Sequence, residues 1–317
     1  MKHEFTPDNP VPLPERLGDH AFERRRLEAE LRSRRAHYEH DHVSAWKSFQ
    51  MLVLEVGLRC AGLHARGVRN ACDLRLREEA LSLAGLPPAL DGLRLLHLSD
   101  LHFGHTLPDH EDAVCRLLEG VSADLCVITG DLRFGHYGPS DHVAPAVRRM
   151  LGGLRLQHGA YAVLGNHDTL AIAETIEAVG LRVLLNEGVA VGVNGAVLWL
   201  AGVDDPHFYR MDDLDAALRG APPHAFPILL AHTPECAEEA AEKGIGLYLC
   251  GHTHGGQIRL PGLGAIMVNA RCPRRRALGH WQIGTMHGFT SPGLGFTDAP
   301  VRFGCPPEAV LFTLRRG

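Results

Sequence analysis

The stretch LYLCGHTHGGQI, residues 247–258, decides the fold of this chain. An apolar run from Leu247 to Gly251 has the length and composition of a buried strand, and two histidines separated by one residue follow it directly. Polar groups just beyond the carboxyl end of a buried strand are typical of sites in α/β sheets. We therefore expect His252 and His254 to face a shared site, and we expect other strands to end beside it.

The rest of the chain repeats this pattern. Further short apolar runs end in polar residues, and helical stretches at 109–120, 169–179 and 212–219 lie between several of them. Buried strands that alternate with helices indicate an α/β domain. The runs cover residues 93–100, 123–131, 159–168, 196–205 and 226–235.

Seven candidate metal ligands stand at the ends of these runs. They are carboxylate, imidazole and amide groups, with no thiolate among them, and such a set suits Mn²⁺, Fe or Zn²⁺. Seven ligands are too many for one ion but suit two ions if one carboxylate bridges them. The seven are Asp100, His102, Asp131, Asn166, His232, His252 and His254.

The ordered blocks D-x-H, G-D, G-N-H-D, H and G-H-x-H resemble those of the calcineurin-like metallophosphoesterase family over roughly residues 93–315. The segment RFGCPPEAVLFTL (302–314) further resembles a bacterial phosphodiesterase-like branch related to UDP-2,3-diacylglucosamine pyrophosphatases of lipid A synthesis. The family resemblance implies a four-layer α/β/β/α sandwich. It also implies a dinuclear metal enzyme that hydrolyses a phosphodiester or pyrophosphate through a hydroxide bridging the metals.

The resemblance also implies roles for the ligands, with Asp131 bridging two divalent ions, for which manganese is our expectation and iron or zinc the alternatives. One ion would be bound by Asp100, His102 and His254, and the other by Asn166, His232 and His252.

Two neighbouring residues are the candidate catalytic groups. His167 follows Asn166, and we expect it to stabilise phosphoryl oxygens or to protonate the leaving alkoxide. Asp168 would accept a hydrogen bond that orients His167. The other histidines, His136 and His207 among them, are expected to be surface residues or to have their hydrogen bonds satisfied locally.

The substrate is less defined than the metal site. Arg274, Arg275 and Arg276 could bind a diphosphate or a lipid head group, although a solvated surface run is the simpler interpretation. UDP-2,3-diacylglucosamine or another lipid-linked phosphate is the substrate that the branch resemblance suggests. A small soluble phosphoester is one alternative, and a non-catalytic scaffold on the same fold is another. SPGLG (291–295) stands where those relatives often have SRGLG, which leaves the substrate open.

The first 90 residues are predicted to form a helical extension of a catalytic domain at 91–317, with a Pro-rich, extended start at 1–14 and helical character up to about Ala80. An apolar stripe on this extension allows two interpretations, a helix packed on the domain or an interfacial helix docked on lipid with arginines toward the head groups. The stripe comprises Trp46, Phe49, Leu52, Val53, Val56 and Leu63.

Composition limits the partners. The 317 residues carry a net charge of -5 and only 6% aromatics, which argues against a nucleic-acid groove. Eight cysteines without a CxxC pair indicate reduced thiols. No secretion signal is apparent, and we expect a cytoplasmic protein, with peripheral contact to the inner face of the membrane as an extension of the lipid hypothesis.

Overall fold

A computed structural model describes Leu13, Arg16 and residues 20–39, 41–105, 107, 109–297 and 299–317, and it describes the side chains of these residues except 20, 36–39, 41–48 and 50. The Pro-rich start predicted at 1–14 falls almost wholly outside this range, as does the side chain of Trp46.

Three helices open the described chain, and no described helix is long and apolar enough to cross a bilayer. These helices are α1 (His20–Glu39), α2 (Asp41–Cys60) and α3 (His64–Ala71). The helical character predicted up to residue 80 is wrong beyond this point, because Arg75–Leu83 forms a strand, β1. This strand pairs in parallel along its whole length with the last strand of the chain, so sheet pairing overrides its helix-like composition. The proposed boundary at residue 90 stays a prediction, although the first sheet begins before it.

Fifteen more strands and five more helices follow among the described residues. The next elements are β2 (Arg94–Leu98), α4 (His110–Leu118), β3 (Ser122–Ala123), β4 (Leu125–Thr129), α5 (Val143–Gly152), β5 (Arg155–Leu156), β6 (Ala160–Val163), α6 (Leu170–Glu177) and β7 (Leu181–Val183). The second half contains β8 (Glu187–Val193), β9 (Ala196–Gly202), α7 (Leu214–Ala217), β10 (Phe226–Leu230), α8 (Ala237–Glu242), β11 (Leu247–Cys250), β12 (Arg259–Leu260), β13 (Gly264–Ala265), β14 (Gly279–Ile283), β15 (Met286–Thr290) and β16 (Glu308–Arg316).

Two six-stranded sheets organise these elements. The first has the order β1-β16-β2-β4-β6-β7 and the second the order β14-β15-β11-β10-β9-β8. Strands β2, β4 and β6 are mutually parallel, and so are β9, β10 and β11. The six strands predicted from apolar runs are all confirmed.

The apolar side chains divide into three layers, which confirms the four-layer α/β/β/α architecture. One layer lies between the sheets and includes Leu95, Val127, Leu200 and Ile228. A second lies between the first sheet and helices α4 to α6, and a third lies between the second sheet and helices α7 and α8. Each sheet is therefore covered on both faces, which explains why its central strands are continuously apolar.

The carboxyl ends of the central strands place the polar residues. Asp100 and His102 follow β2, and Asp131 follows β4. His232 follows β10 in the facing sheet. Because the two sheets pack face to face, loops from both can meet at one edge of the sandwich.

Candidate metal centre

Seven side chains from five strand ends converge in a buried cluster at this edge. Each is at most 6% exposed, which is unusual for charged and polar residues unless they are paired or bind an ion. They are the seven residues that the sequence nominated, namely Asp100, His102, Asp131, Asn166, His232, His252 and His254.

One group of three surrounds His254. Its Nε2 atom lies 3.2 Å from Nε2 of His102 and 3.4 Å from Oδ1 of Asp100. The ligand-type atoms of these three residues all lie within 4.8 Å of one another, which is a separation that one cation can span.

A second group surrounds His232. Its Nε2 atom lies 3.0 Å from Oδ1 of Asn166 and 3.1 Å from Nδ1 of His252. Asp131 stands between the two groups. Its Oδ2 atom lies 3.3 Å from Nε2 of His232 and 3.6 Å from Nε2 of His102.

The tautomers of two histidines suit a cation. Nδ1 of His102 lies 3.1 Å from the carbonyl oxygen of Arg133, and Nδ1 of His232 lies 2.7 Å from that of Thr129. A carbonyl only accepts, so each Nδ1 carries a proton, and each ring presents a lone pair on Nε2 to the cluster when no second proton is bound there. Lone pairs and carboxylates that face one another require positive charge among them. The donor set therefore fits divalent cations.

The electrostatics of the protein alone point the same way. Burial works to lower the pKa of His232, but the charges of Asp131 and Asp100 outweigh it and raise the value to about 10. Burial raises the pKa of Asp100 to about 7, with the charge of Asp131 adding to the rise. Burial also acts to raise the pKa of Asp131, yet neighbouring histidines hold it well below its usual range. Without a cation, a proton on His232 supplies part of the charge that the cluster lacks.

The backbone at the cluster is strained. Five of the seven residues have φ between 47° and 68°, a region that residues with a side chain rarely adopt. These five are Asp100, His102, Asp131, His252 and His254. Gly165 and Gly251 let the loops approach, because a Cβ on Gly165 would collide with the Asp131 carboxylate and one on Gly251 with Ser99 and Asp100.

His167 lies beside the cluster, as its sequence position predicted. Its backbone amide donates a 2.9 Å hydrogen bond to Oδ1 of Asp131, and its Nε2 lies 3.8 Å from Oδ2 of the same carboxylate. Burial holds the pKa of His167 well below its ordinary value. Its Nδ1 atom is buried and has no hydrogen-bond partner within the described part of the chain.

Asp168 differs from the role predicted for it. Its carboxylate does not orient the His167 ring but accepts hydrogen bonds from the backbone amides of Gly165, Leu132 and Arg133 at 3.0 to 3.2 Å. An ionised carboxylate is a good acceptor for several amides at once. Asp168 therefore joins the loops after β4 and β6 and positions the two segments that carry Asp131 and Asn166.

Two of the histidines expected to be surface residues or locally satisfied have local hydrogen-bond partners and also lie beside the cluster. The His136 ring stacks on His167 with centroids 3.9 Å apart, and Phe208 stacks on the other side at 5.2 Å. The His207 ring lies 4.6 Å from that of His252, and its Nδ1 lies 2.5 Å from the Glu235 carboxylate. The available signal for His207 was its position just after the strand at 196–202, at the edge where the other strands end.

Arg302 is a further residue of the centre that the sequence did not single out. Its side chain is wholly buried. Its Nη2 group donates to the carbonyls of Pro292 and Gly295 and lies 3.2 Å from Nδ1 of His254. Burial, His102 and the charge of Arg302 together hold the pKa of His254 well below its ordinary value. The ring therefore stays free of a second proton.

The three nominated arginines lie on a 3₁₀ turn, Arg274–Arg276, that precedes β14. Arg276 is buried and forms a 2.6 Å ion pair with Glu238 on α8, so its guanidinium is already engaged. Arg274 donates to the carbonyl of Ala265, while Arg274 and Arg275 are exposed.

Comparison with known proteins places this geometry in a family. A family model described as calcineurin-like phosphoesterase matches residues 93–256. The chain is 30% identical over 248 residues to "Uncharacterized metallophosphoesterase YkuE" of Bacillus subtilis, covering 75% of this chain and 84% of the relative.

Two other relatives carry more specific names, and one of them is much longer than this chain. "Transmembrane protein with metallophosphoesterase domain" of Bos taurus is 32% identical, and the match covers 73% of this chain but 54% of that protein. "Phosphodiesterase YaeI" of Escherichia coli is 27% identical, with 70% of this chain and 82% of that protein covered.

Proposed function

Since the chain belongs to the calcineurin-like phosphoesterase family, we propose that this metal-dependent phosphohydrolase cleaves a phosphodiester or pyrophosphate bond at the cluster described above. The observation that carries the proposal is the position of Asp131, whose carboxylate lies within 3.6 Å of histidines from both groups. A carboxylate placed between two sets of ligands is suited to bridge two cations. The name of the Escherichia coli relative supports a diester as substrate.

In this proposal Asp100, His102 and His254 hold one divalent ion, and Asn166, His232 and His252 hold the other. Two such ions would supply Lewis acidity toward the phosphoryl oxygens and would acidify the attacking water. Manganese remains our expectation, while iron and zinc accept the same donors.

The protein's own groups position the reaction. The amide of His167 holds one oxygen of Asp131, so the other oxygen faces the histidines. Because burial keeps the His167 ring neutral, the ring has one N–H to donate, and hydrogen bonding to a phosphoryl oxygen fits it better than protonation of the leaving group. The His136 ring stacks on the His167 ring and helps to fix its orientation.

A lipid-linked pyrophosphate such as UDP-2,3-diacylglucosamine is the finer candidate substrate. Its support is the apolar stripe of α2, which the sequence analysis assigned either to packing on the domain or to docking on lipid. Met51, Leu54 and Leu58 are half-buried, whereas the opposite face is between 49% and 56% exposed and therefore available to lipid. That exposed face comprises Phe49, Leu52, Val53 and Val56, and Leu63, just beyond α2, is 40% exposed.

The test is hydrolysis of a chromogenic phosphodiester and of UDP-2,3-diacylglucosamine, side by side, by metal-stripped protein refilled with Mn²⁺. Release of UMP from the lipid nucleotide supports the finer substrate. Turnover of the chromogenic ester alone supports a small soluble phosphoester. No turnover of either compound by metal-loaded protein contradicts the proposal and favours a non-catalytic scaffold.

A further inference from the structure

We infer that the β12–β13 hairpin and the arm that follows it, residues 258–275, dock the enzyme on an anionic membrane surface. This inference rests on the proposed function, since it supplies the surface from which a lipid-linked substrate would be taken. We call this segment the docking hairpin.

The first observation is the exposure of its apolar side chains. Leu260, Leu263, Ile266 and Met267 are 45%, 77%, 57% and 66% exposed. Four large exposed apolar residues within eight positions of one hairpin make up its apolar patch, whereas isolated surface hydrophobics are ordinary. β12 and β13 contribute only two residues each, so the turn between them presents Leu263 at the tip.

The second observation is charge. Residues 244–297 contain five arginines and no acidic residue, although the whole chain has a net charge of -5. Arg271, Arg274 and Arg275 are exposed in the arm that follows the apolar patch. Arginines beside exposed apolar side chains are the pattern that binds anionic head groups while the apolar groups enter the acyl boundary.

The third observation is location. Arg259 Nη1 donates 2.9 Å to the carbonyl of Gly255, directly after His254, and Arg274 Nη1 donates 3.1 Å to that of Ala265. The first bond ties the docking hairpin to the loop that carries His254, at the rim of the metal centre, and the second fixes the arm to β13 within the hairpin. A lipid surface that contacted the hairpin would therefore lie close to the reacting groups.

Helix α3 is anchored beside the docking hairpin. The Arg259 amide donates to the carbonyl of Phe303, and the Arg302 amide donates to the carbonyl of Gly67 in α3. Residues 302 and 303 therefore connect the docking hairpin with the helix that follows α2.

The charge of the docking hairpin also favours an anionic membrane over a second copy of the chain as its partner. A second copy of the chain docked through the same face would bring the exposed Arg271, Arg274 and Arg275 against their counterparts, and like charges disfavour that contact. An anionic bilayer complements both the arginines and the apolar patch.

The test measures co-sedimentation of metal-loaded protein with phosphatidylcholine vesicles, with and without phosphatidylglycerol, at low and high salt. We expect binding to the anionic vesicles, weakened by salt, and reduced about tenfold or more in Leu263→Ser/Ile266→Ser/Met267→Ser. A matched control, Leu27→Ser/Leu31→Ser, removes exposed apolar residues of α1 and should bind like wild type. Turnover of a soluble chromogenic ester should stay unchanged in the triple variant.

Leu263→Trp gives an independent readout if the triple variant folds poorly, because its fluorescence should shift to shorter wavelength on anionic vesicles. Wild-type protein that hydrolyses the soluble ester but binds no vesicles overturns the inference and leaves the proposed function standing. Binding that survives in the triple variant but is lost in Leu52→Ser/Val53→Ser also overturns it, as does concentration-dependent self-association abolished by the triple variant. Vesicle binding without any turnover leaves the docking surface standing and contradicts the proposed function.

Discussion

The backbone amide of His167 donates a 2.9 Å hydrogen bond to Oδ1 of Asp131, while Oδ2 of that carboxylate lies 3.3 Å from Nε2 of His232. One oxygen is thus fixed by the loop after β6, and the other is presented to the histidines. This division makes Asp131 the residue on which both halves of the centre depend.

Asp131→Asn should therefore lose both metals and turnover. The amide keeps the size of the side chain but removes the negative charge that two cations would share, so we expect turnover to fall by about a thousandfold or more. Metal content is measured by mass spectrometry after dialysis. Asp213→Asn is the matched control, because Asn caps the start of α7 as well as Asp does. Full metal occupancy in Asp131→Asn would contradict the bridging role.

His167→Ala should keep the metals and lose turnover by about 10² to 10⁴-fold. The ring lies beside Asp131 but its proposed task is a hydrogen bond to the phosphoryl group. Metal analysis and initial rates on the same samples separate the two roles. His224→Ala, which alters an exposed histidine, should change neither. Loss of metal from His167→Ala would instead make His167 a ligand.

Asp168→Asn should act on stability more than on chemistry. The two oxygens of the carboxylate accept from three backbone amides. In asparagine one of these oxygens becomes an NH₂ group, which cannot accept, and the remaining neutral oxygen is a weaker acceptor. We expect the free energy of unfolding in urea to fall by about 2 kcal/mol. The activity of the protein that remains folded should drop far less than in His167→Ala. An activity loss equal to that of His167→Ala with unchanged stability would restore the catalytic role predicted from sequence.

Arg302→Met should weaken metal binding by releasing a ligand from its position. The Arg302 guanidinium donates to the carbonyls of Pro292 and Gly295 and lies beside Nδ1 of His254, so methionine would leave these buried acceptors without a donor. We expect affinity for Mn²⁺ to fall about 10- to 100-fold, as measured against a chelating dye. Arg302→Lys should retain more affinity, and Arg219→Met should match wild type. Unchanged Mn²⁺ affinity in Arg302→Met would contradict this positioning role.

Protonation of His97 in the unfolded chain should make the free energy of unfolding depend on pH. Burial lowers its pKa to about 3, so between pH 6.5 and 3 the unfolded chain binds a proton there that the folded chain does not. Stability from this group is complete above pH 6.5 and is lost as pH falls, by about 2 kcal/mol between pH 7 and 5.

Urea unfolding of wild type and His97→Asn at both pH values tests this. The fall in stability should be smaller by that amount in the variant, and His224→Asn should follow wild type. Equal falls in wild type and His97→Asn would show that His97 does not supply the effect.

The central strands and the seven clustered residues were predictable because both depend on local sequence. Apolar runs identify strands that are buried on both faces, and ligands follow them at strand ends. β1 was missed because its pairing with β16 joins residues more than 200 positions apart in the sequence. His136, His207 and Arg302 were missed because their contacts join separate loops, which the local sequence does not reveal: they lie against His167, His252 and His254. Asp168 shows a different gap: the sequence identifies a carboxylate beside His167 but not which donors surround it.

The most direct test of the central claim is a titration of metal-stripped protein with Mn²⁺, in which bound metal and hydrolysis of a chromogenic phosphodiester are followed together. The account predicts that two ions bind per chain and that turnover reaches its maximum only when both are present. Full turnover in the metal-free protein, or saturation at a single ion with full activity, would contradict it.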